Sequence, residues 1–135
     1  MIILGIDLGD VRTGISLSNT KILAFPLCTI HESNKNLLAK KILELVDRYS
    51  VEKIVLGYPL NMNGSIGSRA IQVKDFQKKL SELSGKEVIL WDERLSTISS
   101  QKLFSSMNIK SKNYKKNIDA AAATTILQNY LDSLI

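Results

Sequence analysis

The spacing of apolar positions changes part-way along this chain, and the change predicts two kinds of structure in succession. Residues 2–8 (Ile-Ile-Leu-Gly-Ile-Asp-Leu) are almost continuously apolar, as expected for a strand covered on both faces. Gly9-Asp10 marks a turn, and Thr13 to Ser18 reads as a second strand paired to the first. Asn19-Thr20-Lys21 is another turn signal, followed by a third strand over about 22–30. Two short turns in succession predict an antiparallel meander. From residue 34 the period becomes helical. Leu38, Ile42, Leu45 and Tyr49 recur within 34–50 with charges between them.

Lys53 to Tyr58 is a short apolar strand, and after a Gly-containing loop Val73, Phe76, Leu80 and Leu83 mark a helical face that Gly85 closes. Glu87 to Trp91 is the fifth strand. A shorter helix is expected from about Ser96 to Met107. The last begins near Asp119 and buries Ala123, Leu127, Tyr130 and Leu134. Alternation of helix and strand after the meander predicts parallel pairing with crossovers. The expected fold class is α/β: a five-stranded mixed sheet with helices on both faces, the outline of an RNase H-like domain.

At 135 residues the chain is expected to form one domain, 1–135, and a hydrophobic fraction of 44% is enough for a real core. No apolar run approaches the roughly 20 residues that span a bilayer. The first residues lack the basic region and cleavage site of a signal peptide. The single cysteine, Cys28, cannot form an internal disulfide and reads as a small core hydrophobe, which fits a reducing, cytoplasmic setting. Eighteen Lys and Arg against 13 Asp and Glu give a net charge of +5, a modest bias toward polyanions. Its distribution says more. Lys110, Lys112, Lys115 and Lys116 flank Tyr114 in one short stretch, a footprint suited to a nucleic-acid backbone, though a solvated loop has the same composition.

Asp7 is the first chemical anomaly. A carboxylate on a buried strand is costly to desolvate unless it is paired or holds a metal, and no basic residue on this strand neutralises it. An aspartate capping the Gly9 turn would satisfy the same local sequence. Asp92 and Glu93 follow the apolar run Val88-Ile89-Leu90-Trp91. Successive strand residues face opposite ways, so only one of the two can share a face with Asp7, and spacing leaves the choice open. Arg94 is placed to pair the other carboxylate or touch a phosphate. Asp119 precedes the run Ala120-Ala121-Ala122-Ala123. Helix capping explains it locally, but the alanines would let this helix approach the sheet closely.

Three acidic positions then fall on one sheet edge, outside the carboxyl ends of the strands, where open α/β sheets bind ligands. Oxygen ligands suit Mg²⁺ or Mn²⁺, and a lone histidine, His31, argues against a His-rich site. Two such ions about 4 Å apart would activate water and stabilise a leaving oxygen. The loop after the fourth strand, with Asn61 and Arg69, leaves on the same edge and is a candidate for phosphate or sugar contacts. A plain turn with Ser68 capping the next helix is the simpler explanation.

Four blocks in this order span nearly the whole chain: Gly5-Ile6-Asp7-Leu8-Gly9 with Arg12-Thr13-Gly14-Ile15; Gly57-Tyr58-Pro59-Leu60-Asn61 with Gly64; Asp92-Glu93-Arg94-Leu95-Ser96-Thr97; and Ile118-Asp119-Ala120-Ala121-Ala122. Together they resemble the YqgF/RuvX family, described as Holliday junction resolvases and as the nuclease that processes pre-16S ribosomal RNA. The resemblance implies an RNase H-like fold and a metal-dependent endonuclease. It implies Asp7, Glu93 and Asp119 as catalytic metal ligands, Asp92 as a supporting residue, and Arg12 near the substrate backbone. Substrate contacts are expected from Arg12, Asn61, Arg69, Arg94, Lys115 and Lys116. Asn19 and Asn63 stand where the family often has acids, and Ser68 where it often has proline; none of these removes an implied ligand.

Precursor ribosomal RNA is the expected substrate and branched DNA the alternative. A resolvase would act as a homodimer, because its substrate is two-fold symmetric. A non-catalytic nucleic-acid-binding module is a further alternative. A Gly-Ile-Asp-Leu-Gly start also opens actin-like and sugar-kinase ATPases, but those bind nucleotide between two domains and this length supplies one.

Overall fold

The computed structural model describes residues 1–61, 63–93 and 118–135, without the side chains of Ile118 and Asp119. The helix expected over Ser96–Met107, Arg94, and the lysines at 110, 112, 115 and 116 lie outside the described residues. Strands β1 (Ile3–Asp7), β2 (Arg12–Ser18) and β3 (Phe25–His31) form the meander. Helix α1 (Lys35–Arg48), strand β4 (Lys53–Tyr58), helix α2 (Ser68–Ser84), strand β5 (Glu87–Asp92) and helix α3 (Ile118–Asp132) follow. The sheet order is β3-β2-β1-β4-β5. β1 is antiparallel to β2 and parallel to β4, and β4 is parallel to β5. The mixed sheet expected from the alternation is therefore present, with β1 at its centre.

Strand periodicity divides the side chains between two cores. Leu4 and Ile6 of β1, Ile54 and Leu56 of β4 and Val88 of β5 pack with Leu38, Ile42 and Val46 of α1 and with Val73, Phe76 and Leu80 of α2. The intervening residues Ile3 and Val55, with Ile89 and Trp91 beside them, meet Ile126, Leu127, Tyr130 and Leu131 of α3 on the other face. Trp91 and Tyr130 meet edge to face at 5.6 Å between ring centroids. Both faces are covered, which is why β1, β4 and β5 are apolar at nearly every position.

Helix α3 lies close to the sheet. A Cβ at Gly5 would fall 2.8 Å from Leu127 Cβ, and one at Gly57 would fall 2.6 Å from Ile126 Cδ1. Ala120 and Ala123 are fully buried, as the alanine run predicted. Two polar residues fix the docking. Ser16 Oγ donates to the Ala123 carbonyl at 2.7 Å. Gln128 accepts from Ala24 N–H and donates to the Ile22 carbonyl, both at 2.8 Å, clamping the β2–β3 connection.

Several expectations need correction. β3 starts at Phe25 rather than near residue 22. The Thr20 hydroxyl accepts from the Ile22 and Leu23 amides and Lys21 takes a positive φ, so the turn extends further than its residues suggest. Pro26 sits on this edge strand beside a register shift, where a missing N–H is tolerated. Leu83 lies roughly 80° around α2 from Val73, at the margin of the apolar stripe, and is exposed. Leu134 is exposed because α3 ends at Asp132. Gly67, not Ser68, occupies the N-cap of α2, without a side-chain bond. Gly85 does close that helix in the left-handed conformation, at φ 69°. Cys28 is half-buried against the α1/α2 core, where burial pushes its thiol pKa up.

Replacing Gly5 by Ala would clash with the Ser16 hydroxyl and with Leu127 Cβ, so it should disturb the docking of α3 and cost about 1–3 kcal/mol. Urea unfolding should show a lower midpoint with an unchanged slope. An unchanged midpoint would mean that neither Ser16 nor α3 is packed tightly against this glycine.

Candidate active site

Asp7 is the last residue of β1, and its side chain alternates with Ile6 onto the α3 face, the face of Ile3 and Gly5. The same alternation runs along β5. Val88 and Leu90 pack toward α1 and α2, Ile89 and Trp91 toward α3. Asp92 thus falls on the α1/α2 side, and Glu93, the next residue, returns to the side of Asp7. The choice that spacing left open is made by register.

The two carboxyl groups meet. Glu93 is hydrogen-bonded to Asp7, and its pKa is pushed from an ordinary 4.5 up to about 7. Loss of solvent is the largest cause, followed by the negative charge of Asp7. Arg69 opposes the shift, while Asp92 adds a smaller repulsion. Gly57 makes this packing possible, since a Cβ there would stand 3.1 Å from Glu93 Oε1. At neutral pH Glu93 is about half protonated, so the pair carries less than its full charge.

The backbone of α3 brings Asp119 to the same level. Gly5 and its β2 partner Ser16 both touch Ala123, while Ile3 packs among Leu127, Tyr130 and Leu131, so α3 runs antiparallel to β1. Four helical residues from Ala123 back to Asp119 rise about 6 Å. Two strand residues from Gly5 on to Asp7 rise about 6.6 Å. Asp119 stands inside the first described turn of α3 rather than ahead of it, so it is not a residue preceding the helix. Among residues whose side chains are described, no group of three His, Cys, Asp or Glu forms a metal-binding cluster.

The basic candidates separate. Arg12, the first residue of β2, lies in register with Gly14 and Ser16 on the α3 face and is exposed at the same edge. Arg69 Nη2 donates to the Leu8 carbonyl at 2.9 Å, its Nη1 lies 3.8 Å from Asp10, and its charge reaches Glu93. Asn61 is occupied within its own loop: its amide donates to Ser65 Oγ at 2.9 Å, and its backbone pairs with Ser65 and Gly64. Asn63, where the family often has an acid, accepts from the Ser65 amide and hydroxyl. Sequence reasoning missed Gly57 as the space for Glu93, and Ser16 and Gln128 as the fasteners of α3. Only the first had a signal, a glycine on a strand without a turn.

The RuvX family profile, described as Holliday junction resolvase, matches residues 1–133. A protein of Caldanaerobacter subterraneus is 42% identical over 135 residues, covering 98% of this chain and 97% of its own. One of Carboxydothermus hydrogenoformans is 40% identical over 133 residues, covering 98% and 96%. Each is provisionally named a pre-16S rRNA nuclease. Among solved structures, Thermus thermophilus RuvC in complex with a Holliday junction substrate superposes with a TM-score of 0.72 at 13% identity, over 99% of this chain and 95% of that one. The fowlpox virus resolvase bound to Holliday junction DNA gives 0.63 at 16%, over 100% and 99%. At such identities the likeness shows the fold alone. The family profile and the full-length relatives, taken with this fold, place the chain among RNase H-like hydrolases acting on phosphodiester bonds. Within that class the chain belongs to the RuvX family.

A raised Glu93 pKa has a stability consequence with a definite sign. The folded chain holds this proton more tightly than the unfolded chain, so stability is lost as pH rises from about 4.5 through about 7. Glu93→Gln should flatten that part of the profile and raise the stability of the metal-free protein near pH 8. Urea midpoints measured in chelator across this range would test it; parallel profiles for the two proteins would refute the coupling.

Proposed function

We propose that this chain is a metal-dependent endonuclease that processes the 5′ end of precursor 16S ribosomal RNA, with Asp7, Glu93 and Asp119 as catalytic metal ligands. The observation that carries the reading is the contact of Asp7 with Glu93 on a partly desolvated sheet edge. Two carboxylates pressed together at a cost in charge repulsion are what a cation site looks like before loading. The set is all oxygen and suits Mg²⁺ or Mn²⁺, in keeping with two ions. Bound there, such ions supply charge stabilisation and a water of lowered pKa.

The chain's own residues prepare that chemistry. Glu93 must release its proton to act as a ligand, so cation uptake should strengthen as pH rises through about 7. Asp7 holds the Glu93 carboxyl in place, and Arg69, tied to the Leu8 carbonyl, limits the repulsion between them. Arg12 on the same face, with Arg94, Lys115 and Lys116 from the segment between β5 and α3, would bind backbone phosphates. Asn61 would contact the strand only by exchanging its bond to Ser65. Precursor 16S RNA is favoured because relatives about 40% identical along their full lengths carry that name. The reading places the whole chain, 1–135, in one nuclease domain acting in the cytoplasm. Among the described residues no helix is long and apolar enough to cross a membrane.

The family description and the RuvC fold favour a second reading, cleavage of branched DNA by a homodimer. A cleavage assay offering a 5′-extended 16S precursor and a four-way DNA junction, each with Mg²⁺ and Mn²⁺, separates the two. Asp7→Asn should lower the rate on the true substrate by at least about a hundredfold without altering the circular dichroism spectrum. Full Mg²⁺-dependent activity in that variant would sink the metal-site reading. Binding without cleavage by the parent protein would leave a nucleic-acid-binding module.

A further inference from the structure

A cleft of about 370 Å³ opens on the opposite side of the β1 edge from Asp7, between the start of α1 and the outer half of α2. Leu8 and Phe76 form its floor, and Ser33, Gln72, Asp75 and Lys79 form its walls. Leu8 immediately follows Asp7, so the cleft and the carboxylate pair lie on the two faces of one sheet edge. A narrower pocket shares Leu8, Asp10 and Gln72 with the cleft and extends to Arg69, which reaches Glu93. Arg69 thus stands beside the cleft and within electrostatic reach of Glu93.

We propose that this cleft is a nucleobase subsite that receives one unstacked base of the strand being cut. Its charges are balanced: Lys35 and Lys79 stand against Asp10 and Asp75. Both amines are already engaged, Lys35 with the Gly9 and Asp10 carbonyls and Lys79 with Asn36. Such a lining gives little to a bare phosphate or carboxylate. It suits a neutral flat ring with donors and acceptors on its edge, over an apolar floor. Gln72 offers both a donor and an acceptor, Asp75 an acceptor, and Ser33 either, which is the chemistry that reads a base edge. Because Leu8 directly follows Asp7, the base in the cleft belongs to a nucleotide close to the scissile phosphate. This inference rests on the nuclease reading for its strand, but its binding test does not need cleavage.

The test has two arms. In the first, ¹³C methyl signals of Leu8 are followed in metal-free protein titrated with each of the four 5′-mononucleotides. At least one should shift them saturably, and Gln72→Trp, at an exposed helix position on the cleft wall, should remove the effect by filling the cleft. Ser33→Trp fills it from the other wall and serves if the first variant does not fold. In the second arm, single abasic nucleotides are placed at each of three positions on either side of the cleavage point. One position should lose about tenfold in affinity, and the loss should vanish in the filled variant. Methyl shifts without an abasic effect would overturn the assignment of a strand base to the cleft and leave free nucleotide as its ligand. If no mononucleotide moves Leu8 and no abasic position matters, the proposal is overturned. If no substrate is cut, the nuclease reading fails while the titration still decides the subsite.

Discussion

Helix α3 rests on the sheet at Gly5, where a Cβ would run into Leu127 Cβ and the Ala123 backbone, and Gly57 leaves room for Ile126 beside it. Both contacts are closer than a Cβ would allow, and both lie on strands that carry the site. The close approach buries Ala120, Ala123 and Leu127 completely, lets the Ser16 hydroxyl reach a helix carbonyl, and brings the start of α3 level with the end of β1. A helix standing further off would leave Ser16 and Gln128 buried without partners, each at a cost of about 1–3 kcal/mol. Tight docking and polar satisfaction are therefore one constraint rather than two.

That constraint concentrates acidic groups where water is scarce. Gly57 serves twice, admitting Ile126 from α3 and leaving room for the carboxyl of Glu93. The result is a pair of carboxyls that resists full ionisation, moderated by Arg69 from α2. Arg69 is itself held by the carbonyl of Leu8, the residue after Asp7, so the cation that tempers the site is anchored to the strand that creates it. The pair costs the fold stability when both carboxyls are charged, as is common where perturbed titrating groups gather.

Much of the fold was legible because strands and helices have different periods, and β1, β4 and β5 stand out as continuous apolar runs. The same continuity hid the facing of β5. Val88, Ile89, Leu90 and Trp91 are all apolar because both faces of the sheet are covered, so nothing in the run tells which way Asp92 or Glu93 points. Only pairing with β4, and through it with β1, supplies that parity. Gln128 and Ser16 were illegible for another reason: buried polar residues look like surface ones until their partners, more than a hundred positions away, are known. Leu83 and Leu134 erred in the opposite sense, as apolar residues just past the limits of a buried stripe.

One face of the sheet is covered by α1 and α2, which follow β1 closely in the chain, whereas the other face waits for α3 at the far end. During synthesis the first half-core can close while the opposite side of β1 is still bare, with Ile3 and Val55 open to water. The carboxylate edge is thus the last part of the molecule to be enclosed. An unfinished chain carries Asp7 from the outset but lacks the helix that covers its face of the sheet.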